Sequence, residues 1–261
     1  MSETAIRVEN LGKLYRIGEH RALSDFRETV RDAIRRGRTT KRPVAHDLWA
    51  LKDVGFEIKC GEVVGILGDN GSGKTTLLKV LAQITPPTEG RAEICGRIGA
   101  LLDVGAGLHG ELTGRENVYL NGAVIGMTKR EIERAFDAIV DFAELATFID
   151  TPLKRYSSGM CVRLAFSVAA HLECDAFLVD EVLAVGDVSF QAKCMNRMVD
   201  AVKTGRTIVF VSHDLEYMRQ LCNRIIVFSA GRIVFDGSAA AALDYYSSPS
   251  TCAENTLSLA Q

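Results

Sequence analysis

The chain has 261 residues, 25% of them charged, with 31 Lys and Arg against 33 Asp and Glu and a net charge of −2. That length suits one sizeable domain with at most a small appendage, and the lack of a basic excess argues against nucleic acid as a partner. Seven cysteines with no C-x-x-C pair read as reduced cytosolic thiols rather than a disulfide framework. No apolar run approaches the ~18–20 residues that span a bilayer, and the opening MSETAIRVEN carries no secretory leader.

In chain order, AIRVEN near the start and LKDVGFEI at 51–58 read as strands. Between them, 19–46 breaks the pattern. Arg21, Arg27, Arg31, Arg35, Arg36, Arg38, Lys41 and Arg42 outnumber Glu19, Asp25, Glu28 and Asp32, while Leu23, Phe26, Val30, Ala33 and Ile34 recur at helical spacing. The plain reading is a solvated helix followed by a basic linker. The sharper one is a basic amphipathic helix near a membrane surface or a partner.

VVGIL at 63–67 is a buried β-branched strand running into GDNGSGKTT, and TTLLKVLAQI continues as a helix that Pro86 and Pro87 end. RAEICGRIGALL gives one or two short strands. GRENVYLNGAVIG and KREIERAFDAIVDFAEL have helical periodicity. A helix follows SSGM, then a strand FLVD, a polar helix from about 189, a strand TIVFVS, a helix from Asp214, and strands RIIVFS and RIVFDG; the tail SSPSTCAENTLSLAQ is polar. Strands alternating with helices around a phosphate loop predict an α/β fold with a mainly parallel core sheet. The early strands, with no helices between them, predict an added antiparallel layer.

Gly68, Gly71, Gly73, Lys74 and Thr75 satisfy G-x-x-x-x-G-K-[ST] at every position. The glycines let backbone N–H groups close around phosphate oxygens, and the following helix points its N-terminus at the same anion. Lys74 then reaches the β- and γ-phosphates and the Thr75 hydroxyl ligates Mg²⁺. Asp69, Asn70, Ser72 and Thr76 complete the nucleotide-binding loop. Asp180, at the end of the FLVD strand, is a second Mg²⁺ candidate, and Glu181 is positioned to polarise an attacking water. His213 ends a strand expected beside the one that carries Asp180, within reach of the γ-phosphate. A second Ser/Gly turn opens a helix in KRYSSGM. By itself it is a serine-capped helix; as a second anion cradle it makes sense if it completes the site of another copy of the chain.

GDNGSGKTT, YSSGM, LVDE, AVGD and VSHD, in this order, resemble the nucleotide-binding domain of an ABC transporter over about residues 5–240. The resemblance implies a P-loop cassette with a helical subdomain at 112–172, a domain spanning 1–247 and a short tail at 248–261. It implies ATP and Mg²⁺ as ligands, catalysis by Glu181 and His213, and a homodimer in which Ser157, Ser158, Gly159 and Met160 face the ATP of the opposite subunit, with Asp187 at the interface. Tyr15 matches the aromatic that stacks on adenine, and Trp49 is a weaker candidate because the ALKDV after it reads as strand. Asp103 stands where the family has a glutamine, so it is expected to couple nucleotide to partner and to lie near Mg²⁺. YSSGM in place of LSGGQ, together with LLDVGAG and LTGREN, is similar to the ATPases of polysaccharide exporters that move O-antigen, capsule or teichoic acid. That implies an ATPase driving a lipid-linked polysaccharide through a membrane-spanning permease from the cytoplasmic side of the inner membrane; the alternative is a subunit for another substrate, such as a lipid or drug, and less readily a soluble ABC ATPase. Some relatives end in a glycan-binding β-sandwich. Only about twenty residues follow the last unit here, short of the ~50 of a small domain, so no autonomous glycan binding is expected.

Overall fold

A computed structural model of the chain describes residues 3–17, 46–102, 107–180, 187–212 and 214–248. The basic segment up to residue 45, Asp103, Glu181, His213 and the tail from 249 lie outside the described residues.

Two sheets share the molecule. β1 (Thr4–Ile17), β2 (His46–Lys59) and β4 (Glu89–Ile94) form a three-stranded sheet in the order β2-β1-β4, antiparallel throughout. The second sheet has six strands. Its order is β5 (Ile98–Leu101), β6 (Ala176–Val179), β7 (Thr207–Val211), β3 (Val63–Gly68), β8 (Arg224–Ser229), β9 (Arg232–Ser238). It is parallel from β5 to β8 and closes with an antiparallel β9. The burial patterns explain the difference. β3 is buried at all six positions, as a central parallel strand covered on both faces must be. In β2 the buried residues Leu51, Val54, Phe56 and Ile58 are separated by exposed ones, which marks a sheet with one wet face.

Helix α1 (Lys74–Leu81) lies between the sheets: Leu77, Leu78 and Leu81 share one core with Ile6, Val8 and Leu11 of β1 and Val64 and Ile66 of β3. The opposite face of the six-stranded sheet packs into a second core with α2 (Gly114–Val124), α3 (Lys129–Ala143), α4 (Ser158–Ala170), α5 (Val188–Lys203), α6 (Leu215–Leu221) and α7 (Ala239–Ser247). Among the described residues no helix is long and apolar enough to cross a membrane.

The expected layers are present, with two refinements. The segment RAEICGRIGALL divides into two strands that belong to different sheets, β4 and β5. The chain crosses between them at Gly96, whose φ is 89°. A Cβ there would meet the Asp175 carboxylate at 2.3 Å, and that carboxylate accepts from the Arg97 N–H at 2.7 Å. β1 and β2 also run longer than AIRVEN and LKDVGFEI. Their polar ends pair with each other, Arg16 opposite Asp47 and Tyr15 opposite Leu48. Finally, the strand ahead of His213, β7, does lie beside β6, the strand ahead of Asp180.

Both α2 and α3 begin with capping boxes, Thr113 with Glu116 and Thr128 with Glu131. Each satisfies two helix-end N–H groups reciprocally. Glu131 is also paired with Arg97 at 2.6 Å, which ties the helical layer to the start of β5. The Arg97 hydrogen bond first, and those from Thr128 second, hold the Glu131 carboxyl down to about 2 from the ordinary 4.5. A depressed carboxyl stabilises the fold above its unfolded value and loses that contribution as pH falls from about 4.5 toward 2. Glu131→Gln, which can still cap, is therefore expected to flatten the acid limb of a urea-midpoint-versus-pH curve below pH 5. An unchanged limb would show that the pair contributes nothing.

Candidate active site

β3 delivers the chain into the glycine-rich loop at the centre of the sheet, where its parallel neighbours β7 and β8 also end. Loops at the carboxyl ends of parallel strands are where such sheets bind ligands. Two glycines in the loop are obligatory. Gly68 has φ 151°, and a Cβ there would stand 2.3 Å from the Phe228 carbonyl oxygen; Gly73 has φ 105°, and its Cβ would stand 2.4 Å from the Ala50 carbonyl oxygen. The loop is thus clamped against β8 on one side and β2 on the other. Gly71 differs: its φ is 82°, but nothing lies within 4 Å of a Cβ position. Its freedom is conformational, and the space above it is open to a ligand.

Lys74 is the first residue of α1 and is only 6% exposed. Its ammonium donates to the carbonyl oxygens of Gly68 at 2.7 Å and Asp69 at 2.9 Å, so the charge spans the loop from within. The Thr75 hydroxyl stands 3.5 Å from Asp180 Oδ2. Asp180 follows β6 directly, and its N–H donates to the Leu101 carbonyl at 3.2 Å. A hydroxyl and a carboxylate facing each other beside an anion cradle are the oxygen donors that a hard divalent cation takes with a polyphosphate. The open space over Gly71 and the buried ammonium suit the polyphosphate itself. Thr75 and Asp180, both expected near Mg²⁺, thus face each other beside the loop that carries Lys74. Glu181 and His213, expected on the same edge, lie outside the described residues.

Tyr15 and Trp49 come out as neighbours on paired strands, Leu14 opposite Trp49 and Tyr15 opposite Leu48. Lying in a strand does not separate the two, because both do. Tyr15 is 37% exposed with the Lys13 ammonium 5.3 Å from its ring centre. Trp49 is packed on Gly12, where a Cβ would stand 3.0 Å from the indole.

The second Ser/Gly turn is a capped helix start. Ser157 accepts from the Met160 N–H at 3.2 Å; Ser157 and Ser158 are exposed and Gly159 is half-buried. The turn borders an open hollow of 450 Å³ that also includes Val162, Arg163 and Asp187 and, among its lining residues, none from the phosphate loop. Among the described residues, this hollow at the second turn is thus separate from the phosphate loop.

Arg163 is the residue that sequence reading missed. It lies one turn into α4 with its guanidinium 5.1 Å from the Phe190 ring centre, donates to the Ala143 carbonyl at 3.1 Å and to Glu144, and sits 3.6 Å from Asp187. Behind it, the rings of Phe142, Phe166 and Phe190 pack at centroid distances of 5.6 to 6.3 Å. Three helices are thereby locked at the back of the turn. Asp187 caps α5 through the Phe190 N–H at 2.9 Å. The Ser189 hydroxyl first, then that N–H, hold its carboxyl below the usual range, so it stays ionised on the surface bearing Ser157 and Gly159. The arginine three residues after Met160 in the sequence was the available signal, although nothing local says that it reaches Asp187.

The sequence profile of the ABC transporter family matches residues 51–184. The O-antigen export system ATP-binding protein RfbB of Klebsiella pneumoniae is 43% identical over 197 residues, covering 76% of this chain and 80% of that protein. The teichoic acids export ATP-binding protein TagH of Enterococcus faecalis is 44% identical over 177 residues, 68% of this chain but 39% of that longer protein. Among solved structures, the dimeric post-hydrolysis state of the ATP-binding cassette MJ0796 bound to ADP and Pi matches with a TM-score of 0.69 at 25% identity, over 90% of this chain and 98% of that one.

Proposed function

Because the chain belongs to the ABC transporter family, we propose that it is the ATP-hydrolysing subunit of an exporter that moves a lipid-linked polysaccharide across the cytoplasmic membrane. The observation that carries the hydrolytic half is the Thr75 hydroxyl 3.5 Å from Asp180, beside a loop whose lysine is buried beneath the phosphate position. The substrate half rests on the export proteins for O-antigen and teichoic acid that the chain resembles.

In this reading Lys74 binds the β- and γ-phosphates, and the loop N–H groups and the start of α1 hold the remaining phosphate charge. Thr75 and Asp180 hold Mg²⁺, which when bound neutralises charge on the transferring phosphoryl group. Glu181 orients and deprotonates the attacking water, and His213 steadies the γ-phosphate. The Ser157–Met160 turn and Asp187 face the nucleotide of a second copy, so two chains arranged head to tail enclose two ATP. Their closing and opening drive a membrane-spanning permease, to which the subunit binds peripherally from the cytoplasm. Asp103 links that motion to the nucleotide.

In cells lacking their own copy, the wild-type chain is expected to restore surface polysaccharide and the Lys74→Ala chain to leave it absent at equal abundance. Restoration by Lys74→Ala would remove ATP hydrolysis from the export step. Loss of some other exported lipid or drug, with polysaccharide intact, would reassign the substrate.

A further inference from the structure

The C-terminal elements form a brace behind the phosphate loop. The turn between β8 and β9 reaches it by backbone: the Gly231 N–H donates to the Ser72 carbonyl at 3.0 Å, and the Gly231 carbonyl accepts from Lys52 of β2 at 2.9 Å. α7 follows β9. It is seated by Ala242 and Leu243, 0% and 3% exposed, and by a ring stack of Tyr245 on Phe235 at 5.0 Å. From the last turn of that helix the half-buried Tyr246 hydroxyl donates to Asp69 Oδ1 at 2.9 Å, across 177 positions of sequence.

Asp69 is the second residue of the loop and an unwelcome charge in it. A carboxylate next to an anion cradle repels the triphosphate that the cradle has to accept. The backbone of the same residue is also part of the loop's internal framework, since its carbonyl accepts from the Lys74 ammonium at 2.9 Å and from the Ser72 N–H at 3.1 Å. A hydrogen bond to the Asp69 side chain therefore has two effects. It fixes the side chain toward α7, so that the carboxylate cannot swing over the cradle. It also holds the carbonyl that orients Lys74.

We infer that Tyr246 is a positioning residue for nucleotide binding: its hydroxyl pins the Asp69 carboxylate toward α7, so that the loop offers Lys74 and its N–H groups to the phosphates with that anion held in one place. The inference rests on the ATP-binding reading above and adds α7 to the elements that set the site's affinity. It acts on binding and not on the chemical step, because Tyr246 touches no reacting group.

The test is a double-mutant cycle on the full chain with Tyr246→Phe, Asp69→Ala and the pair, read by ATP hydrolysis kinetics and by ATP titration in a calorimeter. Tyr246→Phe removes one oxygen and leaves the ring in place. The phosphates feel the loss only through Asp69, so the rise in KM and Kd for ATP is expected to match an ordinary net hydrogen bond, roughly three- to tenfold, with kcat changed less than about twofold. In the Asp69→Ala background, Tyr246→Phe is expected to have no further effect. A loss of equal size in that background would mean that Tyr246 only packs α7, and an unchanged KM in the single variant would mean that the bond does not position the loop; either result overturns the inference. A wild-type chain that binds no ATP would overturn the functional reading itself, and this inference with it.

Discussion

Mixed in equal amounts, Lys74→Ala and Gly159→Asp chains, each inactive alone, are expected to recover about a quarter of the wild-type ATPase rate. On the proposed head-to-tail arrangement, half of the dimers in such a mixture are hybrids, and each hybrid would hold one intact site of two, built from the phosphate loop of the Gly159→Asp chain and the Ser157–Met160 turn of the Lys74→Ala chain. Each lesion is local. Lys74→Ala removes the ammonium that spans Gly68 and Asp69 but keeps a good helix former at the start of α1. At Gly159 a Cβ has only Ser157 Oγ near it, at 3.9 Å, so a side chain fits. An added carboxylate in the first turn of α4 even favours the helix. What it cannot tolerate is a γ-phosphate on the same N-terminus, where two anions would compete for the same N–H groups. Gly159→Asp should therefore keep its thermal stability and lose its activity. Co-expression with two different tags makes the hybrids, and purification through both tags isolates them. A doubly purified hybrid without activity, or a fully active Gly159→Asp homodimer, would mean that the second cradle serves no partner nucleotide.

Glu181→Gln is expected to slow ATP turnover by at least about a hundredfold, the scale of a lost general base, while ATP binding stays near the wild-type level. The contrast follows from a division of labour. In the proposed mechanism binding falls to Lys74 and to the Thr75–Asp180 pair, which stand 3.5 Å apart and are untouched by the substitution. The proposed water-directed step falls to Glu181, the carboxylate next in the chain. With binding intact and turnover blocked, two chains should remain closed on two ATP, and gel filtration with Mg²⁺ and ATP should show more dimer than for the wild-type chain. Unchanged hydrolysis would remove Glu181 from its role, and loss of ATP binding would make it a ligand-holding residue instead.

Local features were the ones legible in the sequence. The phosphate loop is contiguous, and each constraint on it is met within the stretch 68–76 by the residue that needs it: glycine at the positive φ of 68, 71 and 73, lysine and threonine at the start of a helix. β3 announced itself as an unbroken apolar run because a central parallel strand has no wet face. The longer ends of β1 and β2 were not legible. Arg16 and Asp47 are polar and fully compatible with a loop, and they become strand only by pairing with each other at 3.6 Å.

The sequence by itself determined the phosphate loop, its order relative to Asp180 and the capped turn at Ser157, because each is a short-range pattern in which residue type and spacing carry the chemistry. Only the tertiary structure decided that Thr75 faces Asp180, that Arg163 joins the Ser157 turn to Asp187, and that Tyr246 reaches Asp69. These contacts span 105, 24 and 177 positions. They are set by strand order and helix packing, which depend on the whole buried surface at once and leave no mark in the residues on either side.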